Sequence, residues 1–178
     1  MLEQLTDQGI DEKHFRLNGR LDELDAQRQE FPWIKDAVAW LLDNKPPEPS
    51  RLSICHGDFH PMNILVRDGQ LTAVLDWPGF MMGDAAMDVA ATMILFEVVL
   101  EHLMPEAKQD GTLSQYLKAY TDVRPVDASC LDYYRMLRCV PAVIEGAAGH
   151  GAWSIDPILQ DLILSIRNIS GVQVVVEP

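Results

Sequence analysis

His56, Asp58, His60, Asn63 and Asp76 fall in one stretch between short β-prone runs, Ile54 to Asp88: ICHGDFHPMNILVRDGQLTAVLDWPGFMMGDAAMD. Two carboxylates and an amide oxygen (Asp58, Asp76 and Asn63) are hard oxygen donors, which suit Mg²⁺ rather than zinc. The stretch reads as strand, polar loop, strand, tight turn, strand, acidic loop and helix. Ser53 to Cys55 is the apolar lead-in, Ile64 to Val66 the next strand, and Thr72 to Leu75 its partner, which delivers Asp76. Between them Arg67-Asp68-Gly69-Gln70 holds an Asp-Gly pair, whose residues tolerate the positive φ of a hairpin turn. Such a hairpin sets the residues before its first strand beside those after its second. Asp58 and Asn63 are therefore expected to meet Asp76.

Each piece alone has a plain structural reading. A lone His-Gly-Asp is a turn, and a lone loop Asn caps an Asx-turn. His56-x-Asp58-x-His60 also reads as a transition-metal ligand run of a metal-dependent hydrolase. Against that, His14, His102 and His150 are scattered along the chain. The spacing His56-x-Asp58-x-x-x-x-Asn63, with an Asp further on, is that of the protein-kinase catalytic loop. The full pattern is His56-Gly57-Asp58-Phe59-His60-Pro61-x-Asn63-Ile64-Leu65, then Val74-Leu75-Asp76-Trp77, then Gly83-Asp84-x-x-x-Asp88-Val89-Ala90. It resembles the aminoglycoside phosphotransferase family of kinase-like enzymes, to which choline and homoserine kinases are related.

That resemblance implies transfer of a γ-phosphoryl group from ATP or GTP, with Mg²⁺, to a hydroxyl of a small molecule. Asp58 is then the general base, and Asn63 and Asp76 hold the metal. His56 fixes the loop as a buried neutral imidazole, while His60 either lines the phosphate side or packs. Asp84 is placed to cap the following helix, and Asp88 to brace the loop that contains His56. Relatives frequently have Glu just after the Asp-Trp pair, where this chain has Pro78.

The expected fold class is α+β, mostly helical: a protein-kinase-like carboxy-terminal lobe with a short catalytic β-hairpin. A complete enzyme of this kind also has an amino-terminal lobe, whose glycine-rich turn and lysine hold the nucleotide phosphates. No alternating strands, Gly-rich hairpin or Val-Ala-x-Lys-like run precedes His56, and Lys13, Lys35 and Lys45 stand in helical or linker contexts. That lobe is read as absent, the chain being a fragment or a naturally short member. The alternative is a catalytically silent module that binds a ligand or partner. One lobe is expected over 1–178. Leading helices and a linker occupy 1–50, the catalytic and metal loops 51–90, and a helical acceptor-substrate subdomain 91–178.

The chain's 178 residues suit one domain with a sizeable core, and 48% hydrophobic with 23% charged residues is an ordinary globular balance. A net charge of −13 argues against nucleic-acid or anionic-membrane surfaces, which need clustered Lys and Arg. It suits a cationic hydroxyl acceptor, for which Glu97, Glu101 and Glu145 are candidate contacts. Three cysteines without metal-ligand spacing read as reduced thiols, and no signal segment is visible, so a cytoplasmic location is expected.

Helical periodicity frames the rest. Leu2, Leu5 and Ile10 suggest a first helix broken at Gly9. Leu17, Leu21 and Leu24 form a second stripe, and Trp33, Ile34, Ala37, Val38, Leu41 and Leu42 a buried face. Lys45-Pro46-Pro47-Glu48-Pro49-Ser50 is an extended connector. A continuously apolar core helix starts near Ala85, and another helix covers Leu113 to Tyr120. A third runs from Leu131 to Glu145, kinked or split at Pro141. Gly146, Gly149 and Gly151 then make a loop, Asp156-Pro157 starts the last helix, and Val172 to Val176 is a strand or an untidy end. An exposed lobe face would favour self-association.

Overall fold

The computed structural model describes residues 7–9, 16–49, 51–77, 79–106 and 110–176. The helix expected around Leu2, Leu5 and Ile10 lies outside them, as do Lys13, His14 and Pro78. The described chain is mostly helical, with two small antiparallel sheets.

Helix α1 (Leu17–Gln27) buries the stripe of Leu17, Leu21 and Leu24. A 3₁₀ turn at Pro32–Ile34, with proline in its first turn where no N–H is needed, leads into α2 (Lys35–Asp43). On that face Ile34, Ala37, Val38 and Leu41 are buried, whereas Leu42 points to solvent, a correction to the sequence expectation. Residues 45–49 carry no regular structure.

Strand β1 (Ser53–Cys55) is followed by β2 (Ile64–Arg67) and β3 (Gln70–Val74), which pair from Ile64 with Val74 to Arg67 with Gln70. The two-residue turn has φ of 52° at Asp68 and 74° at Gly69, as the primed hairpin turns require. A register shift between Leu65 and Val66 was not foreseen. Nor was β4 (Met81–Gly83), which lies in the segment read as an acidic loop. It pairs with β1, Cys55 opposite Met81 and Ser53 opposite Gly83. Three residues without alternation give no local strand signal, so the partner decides.

Helix α3 (Ala85–Ile94) continues without a break into a π-helical turn, Leu95–Leu100, and ends at Glu101–Leu103. Val98, Val99 and Leu100 are all buried. Three consecutive inward residues do not fit one face of a regular α-helix, and the wider i→i+5 turn changes the register of that face. Helix α4 (Thr112–Val123) buries no residue. Helix α5 (Ala128–Ala147) runs through Pro141 as one element. Proline removes one i→i−4 bond, but Val140, Ala142 and Val143 on both sides of it are fully buried, and their packing holds the helix together. Gly146 belongs to this helix rather than to the glycine loop, and glycine is needed there because a Cβ would sit 2.5 Å from the Trp153 carbonyl oxygen. Helix α6 (Asp156–Ser170) starts with Pro157 and stops at Gly171, whose φ is 74°. Residues 172–176 form no strand, although Val174 is buried.

Helix α5 is central, packed against α3 on one side and α6 on the other. Ile94, Met136, Val140, Ile158 and Leu162 are at most marginally exposed. Full burial of each such side chain contributes about 1.5–3 kcal/mol. Into this core β1 and β4 insert Cys55 and Met81. The hairpin β2–β3 stays outside it, with Leu65, Val66 and Leu71 exposed. Among the described residues no helix is long and apolar enough to cross a membrane.

Candidate active site

The loop between β1 and β2 carries His56, Asp58 and His60, and a 3₁₀ turn at Pro61–Asn63 ends it. Its entry is fixed by Gly57, whose φ is 80°. A Cβ there would lie 2.8 Å from the carbonyl oxygen of Gly79, because the β1–β4 pairing brings the two loop backbones together. Only glycine accepts both the left-handed conformation and the close approach.

Polar bonds hold this loop from three sides. Buried His56 has Nδ1 3.2 Å from the Asp58 N–H and Nε2 2.7 Å from the Leu75 carbonyl oxygen. The first contact makes Nδ1 an acceptor and the second makes Nε2 a donor, so the partners assign the proton to Nε2. The ring lies 4.6 Å from that of Trp77, whose Nε1–H donates to the Val74 carbonyl. His56 thus ties the loop to the end of β3, one residue before Asp76. From α3, Asp88 accepts the Gly57 N–H at 2.8 Å. Asp84 caps the same helix by accepting the Ala86 N–H at 2.9 Å, and the Cys55 thiol donates to its carbonyl. Thr92 donates its hydroxyl to the Phe59 carbonyl at 3.1 Å.

Asn63 is buried, and its Nδ2 donates to the Asp58 carbonyl at 2.9 Å and to the Asp58 carboxylate at 3.2 Å. With the nitrogen committed, Oδ1 is the amide atom left for a cation. His60 Nε2 lies 3.2 Å from Asn63 Nδ2 and 3.4 Å from Asp58 Oδ2. Its Nδ1 is buried without a partner among the described residues. The Asn63 carbonyl accepts the Leu75 N–H at 2.7 Å, extending the hairpin ladder towards Asp76. Asp76 is exposed, has φ of 60°, and has no described partner for its carboxylate. A non-glycine residue in that conformation costs of order 1 kcal/mol and is worth noting beside a polar loop.

Asp58, His60 and Asn63 are therefore in direct contact, and the backbones of Asn63 and Leu75 join the two arms. His56, Asp84 and Asp88 sit behind the loop. Both nitrogens of His56 are taken by backbone groups, so the loop does not present His56, Asp58 and His60 as a ligand trio. Among the described residues no three His, Cys, Asp or Glu side chains group to hold a metal. The expected meeting of Asp58 and Asn63 with Asp76 extends, among the described contacts, only to the backbone of Leu75; by donor type, Asn63 and Asp76 would suit a different ion. Magnesium takes one or two protein oxygens and completes its shell with water and phosphate oxygens.

Burial, followed by the nearby charge of Asp88, pushes the Cys55 thiol up to about 12, which makes it a packing group rather than a nucleophile. Burial likewise raises Tyr116 to about 12, which keeps it a phenol. Its ring lies 6.0 Å from both Phe59 and Tyr120, and these contacts hold α4 beside the loop. Glu97 and Glu101 line one cavity of about 210 Å³ with Phe96 and the start of α4, whereas Glu145 is exposed elsewhere. Glu97 also pairs with Arg135. The bracing roles of Thr92 and Tyr116 were not found from the sequence, since neither stands in a motif.

The model of the phosphotransferase enzyme family (APH) matches residues 2–133. The chain belongs to that family. Among curated proteins, an aminoglycoside 3'-phosphotransferase of Streptomyces fradiae is 28% identical over 121 residues, covering 67% of this chain and 43% of that protein. A Gallus gallus protein named acyl-CoA dehydrogenase family member 11 is 32% identical over 74 residues, covering 40% of this chain and 10% of its own length. The chain thus spans less than half the length of either of these curated relatives. No solved structure matches it.

Proposed function

We propose that this chain holds the base and metal-binding part of a phosphotransferase that moves the γ-phosphate of ATP or GTP to a hydroxyl of a small molecule. The observation that supports this best is the joined set Asp58–Asn63–His60, tied through His56 and Leu75 to the residue before Asp76. Asp58 accepts the proton of the acceptor hydroxyl as the new O–P bond forms. The bond from the γ-phosphorus to the bridging oxygen breaks, and the nucleoside diphosphate leaves. The Asn63 amide donates to the Asp58 carboxylate, which orients it towards the acceptor. Asn63 Oδ1 and the Asp76 carboxylate would hold Mg²⁺, which would supply positive charge for the phosphate oxygens. His56 and Asp88 act as positioning residues by fixing the backbone on both sides of Gly57, and Asp84 anchors the helix that carries Asp88. His60 packs against the pair.

The acceptor class we favour is a hydroxyl compound bearing an amine, met by Glu97 and Glu101 in their shared cavity. In this reading the chain is a carboxy-terminal lobe, and the group that clamps the nucleotide phosphates is supplied by a further segment or another chain. Neither nucleic acid nor membrane is a partner in it, and its place is the cytoplasm. A second reading has its own support. Leu65, Val66 and Leu71 on the hairpin, with Met62 just before it, are exposed apolar residues, which fits a silent module covered by a partner or a second copy. Transfer assays on the chain, alone and with such a covering segment, separate the two. Asp58→Asn is expected to lower transfer by about 10²–10⁴-fold while leaving the melting temperature unchanged. An Asp58→Asn protein that turns over normally removes the base assignment, and turnover undiminished by chelation removes the metal.

A further inference from the structure

Behind the catalytic loop, a small cavity is lined by Arg20 of α1, Arg138 of α5, Tyr134, Met81, Cys55 and Asp88. We infer that it binds one small inorganic anion, of about the size of chloride, between the guanidinium groups of Arg20 and Arg138. The inference does not depend on the proposed activity.

Two cations face one space here, and neither has a carboxylate bound to it among the described residues. Arg20 donates from Nη1 to the thioether sulfur of Met81 at 2.9 Å, a weak and uncharged acceptor. Arg138 lies over the indole of Trp153, 4.6 Å from the ring centroid. Burial lowers the pKa of Arg20, and the charge of Arg138 adds to that, while Glu23 and Glu145 oppose it. Both glutamates are exposed and neither lines the cavity, so their attraction is weakened by water. The remaining acid, Asp88, lines the cavity but commits Oδ1 to the Gly57 N–H. Both arginines are half-buried, and two guanidinium groups facing one space repel each other more strongly there than in open water. Tyr134 adds a further donor, because burial keeps its phenol protonated. Donors thus prevail around the space.

Size sets the class of ligand. The cavity holds about 30 Å³. A single water needs roughly 10–15 Å³ on the same measure, so there is room for about two waters or one monatomic anion. Tetrahedral oxyanions are too large for it unless the walls move.

Thermal unfolding of the full chain at constant ionic strength, with sodium gluconate replaced by sodium chloride or bromide, tests the site. Chloride and bromide are expected to raise the melting temperature by about 2–4 °C, a shift that Arg138→Gln and Arg20→Met lose. Sulfate shifts wild type and variants equally, through its general exclusion from protein surfaces. Line broadening of the chloride NMR signal supplies a second readout on the unaltered protein, and it stands should either variant fail to fold. Saturable broadening, displaced by bromide, supports the site. Equal halide responses in wild type and folded variants, or no saturable broadening, overturn it.

Discussion

The loop around Asp58 and the core around α5 are built on opposite principles. In the core, Ile158, Leu162, Val140 and Val143 are held by apolar contact alone, which is non-directional and spread over many neighbours. In the loop, position is set by single directed bonds: Asp88 to Gly57, His56 to Leu75, Asn63 to Asp58. Each sets one donor against one acceptor, and beyond the ring contacts of His56 and Phe59 little apolar area backs it, since the adjoining hairpin is exposed. The core therefore supplies stability without specifying where a proton acceptor sits, and the loop does the reverse. Helix α3 joins the two. One side packs on α5, and its first turns present Asp84, Asp88 and Thr92 to the loop.

Substitutions that separate stability from transfer sharpen this comparison. The largest stability effect is expected for Leu162→Ala, fully buried between α6 and the core. It should cost about 2–5 kcal/mol in chemical denaturation while the residual folded protein keeps its transfer rate. A comparable loss of transfer in that folded fraction would break the division. Gly57→Ala comes next, forcing a Cβ against Gly79 at positive φ. A cost of about 1–3 kcal/mol is expected, with transfer falling more than the fraction unfolded accounts for, as read by activity normalised to circular dichroism. Asp84→Ala removes the cap of α3 and should cost about 1 kcal/mol of unfolding free energy, read by urea titration. Asp84→Asn, which can still accept, should recover most of it. Smallest is Val66→Thr on the open hairpin, where a change within about 0.5 kcal/mol is expected. A larger loss in urea unfolding would show that something covers that surface.

Much of the fold was legible because it is encoded over short spans. Leu17, Leu21 and Leu24 repeat at helical spacing and are buried together, and Asp68-Gly69 turns the hairpin where its chemistry requires. What was missed depends on distant partners. Leu42 continues the apolar spacing of α2 but falls at the edge of the covered face. Gly146 resembles a loop glycine until the Trp153 backbone is seen against it. In the candidate site, the spacing from His56 to Asn63 marked the residues, but it could not say which ring nitrogen or carboxylate oxygen each would spend on the backbone.

Local periodicity and turn chemistry, fixed by neighbours a few residues away, were enough to give the helical stripes, the Asp-Gly hairpin and the order of Asp58, Asn63 and Asp76 along it. Tertiary structure decided the pairing of β1 with β4, the grip of Asp88 on Gly57, the unbroken passage of α5 through Pro141, and the placing of Arg20 and Arg138 on one cavity. Those contacts join residues far apart in sequence, and their free energy depends on what the whole core excludes from water rather than on any short run of residues.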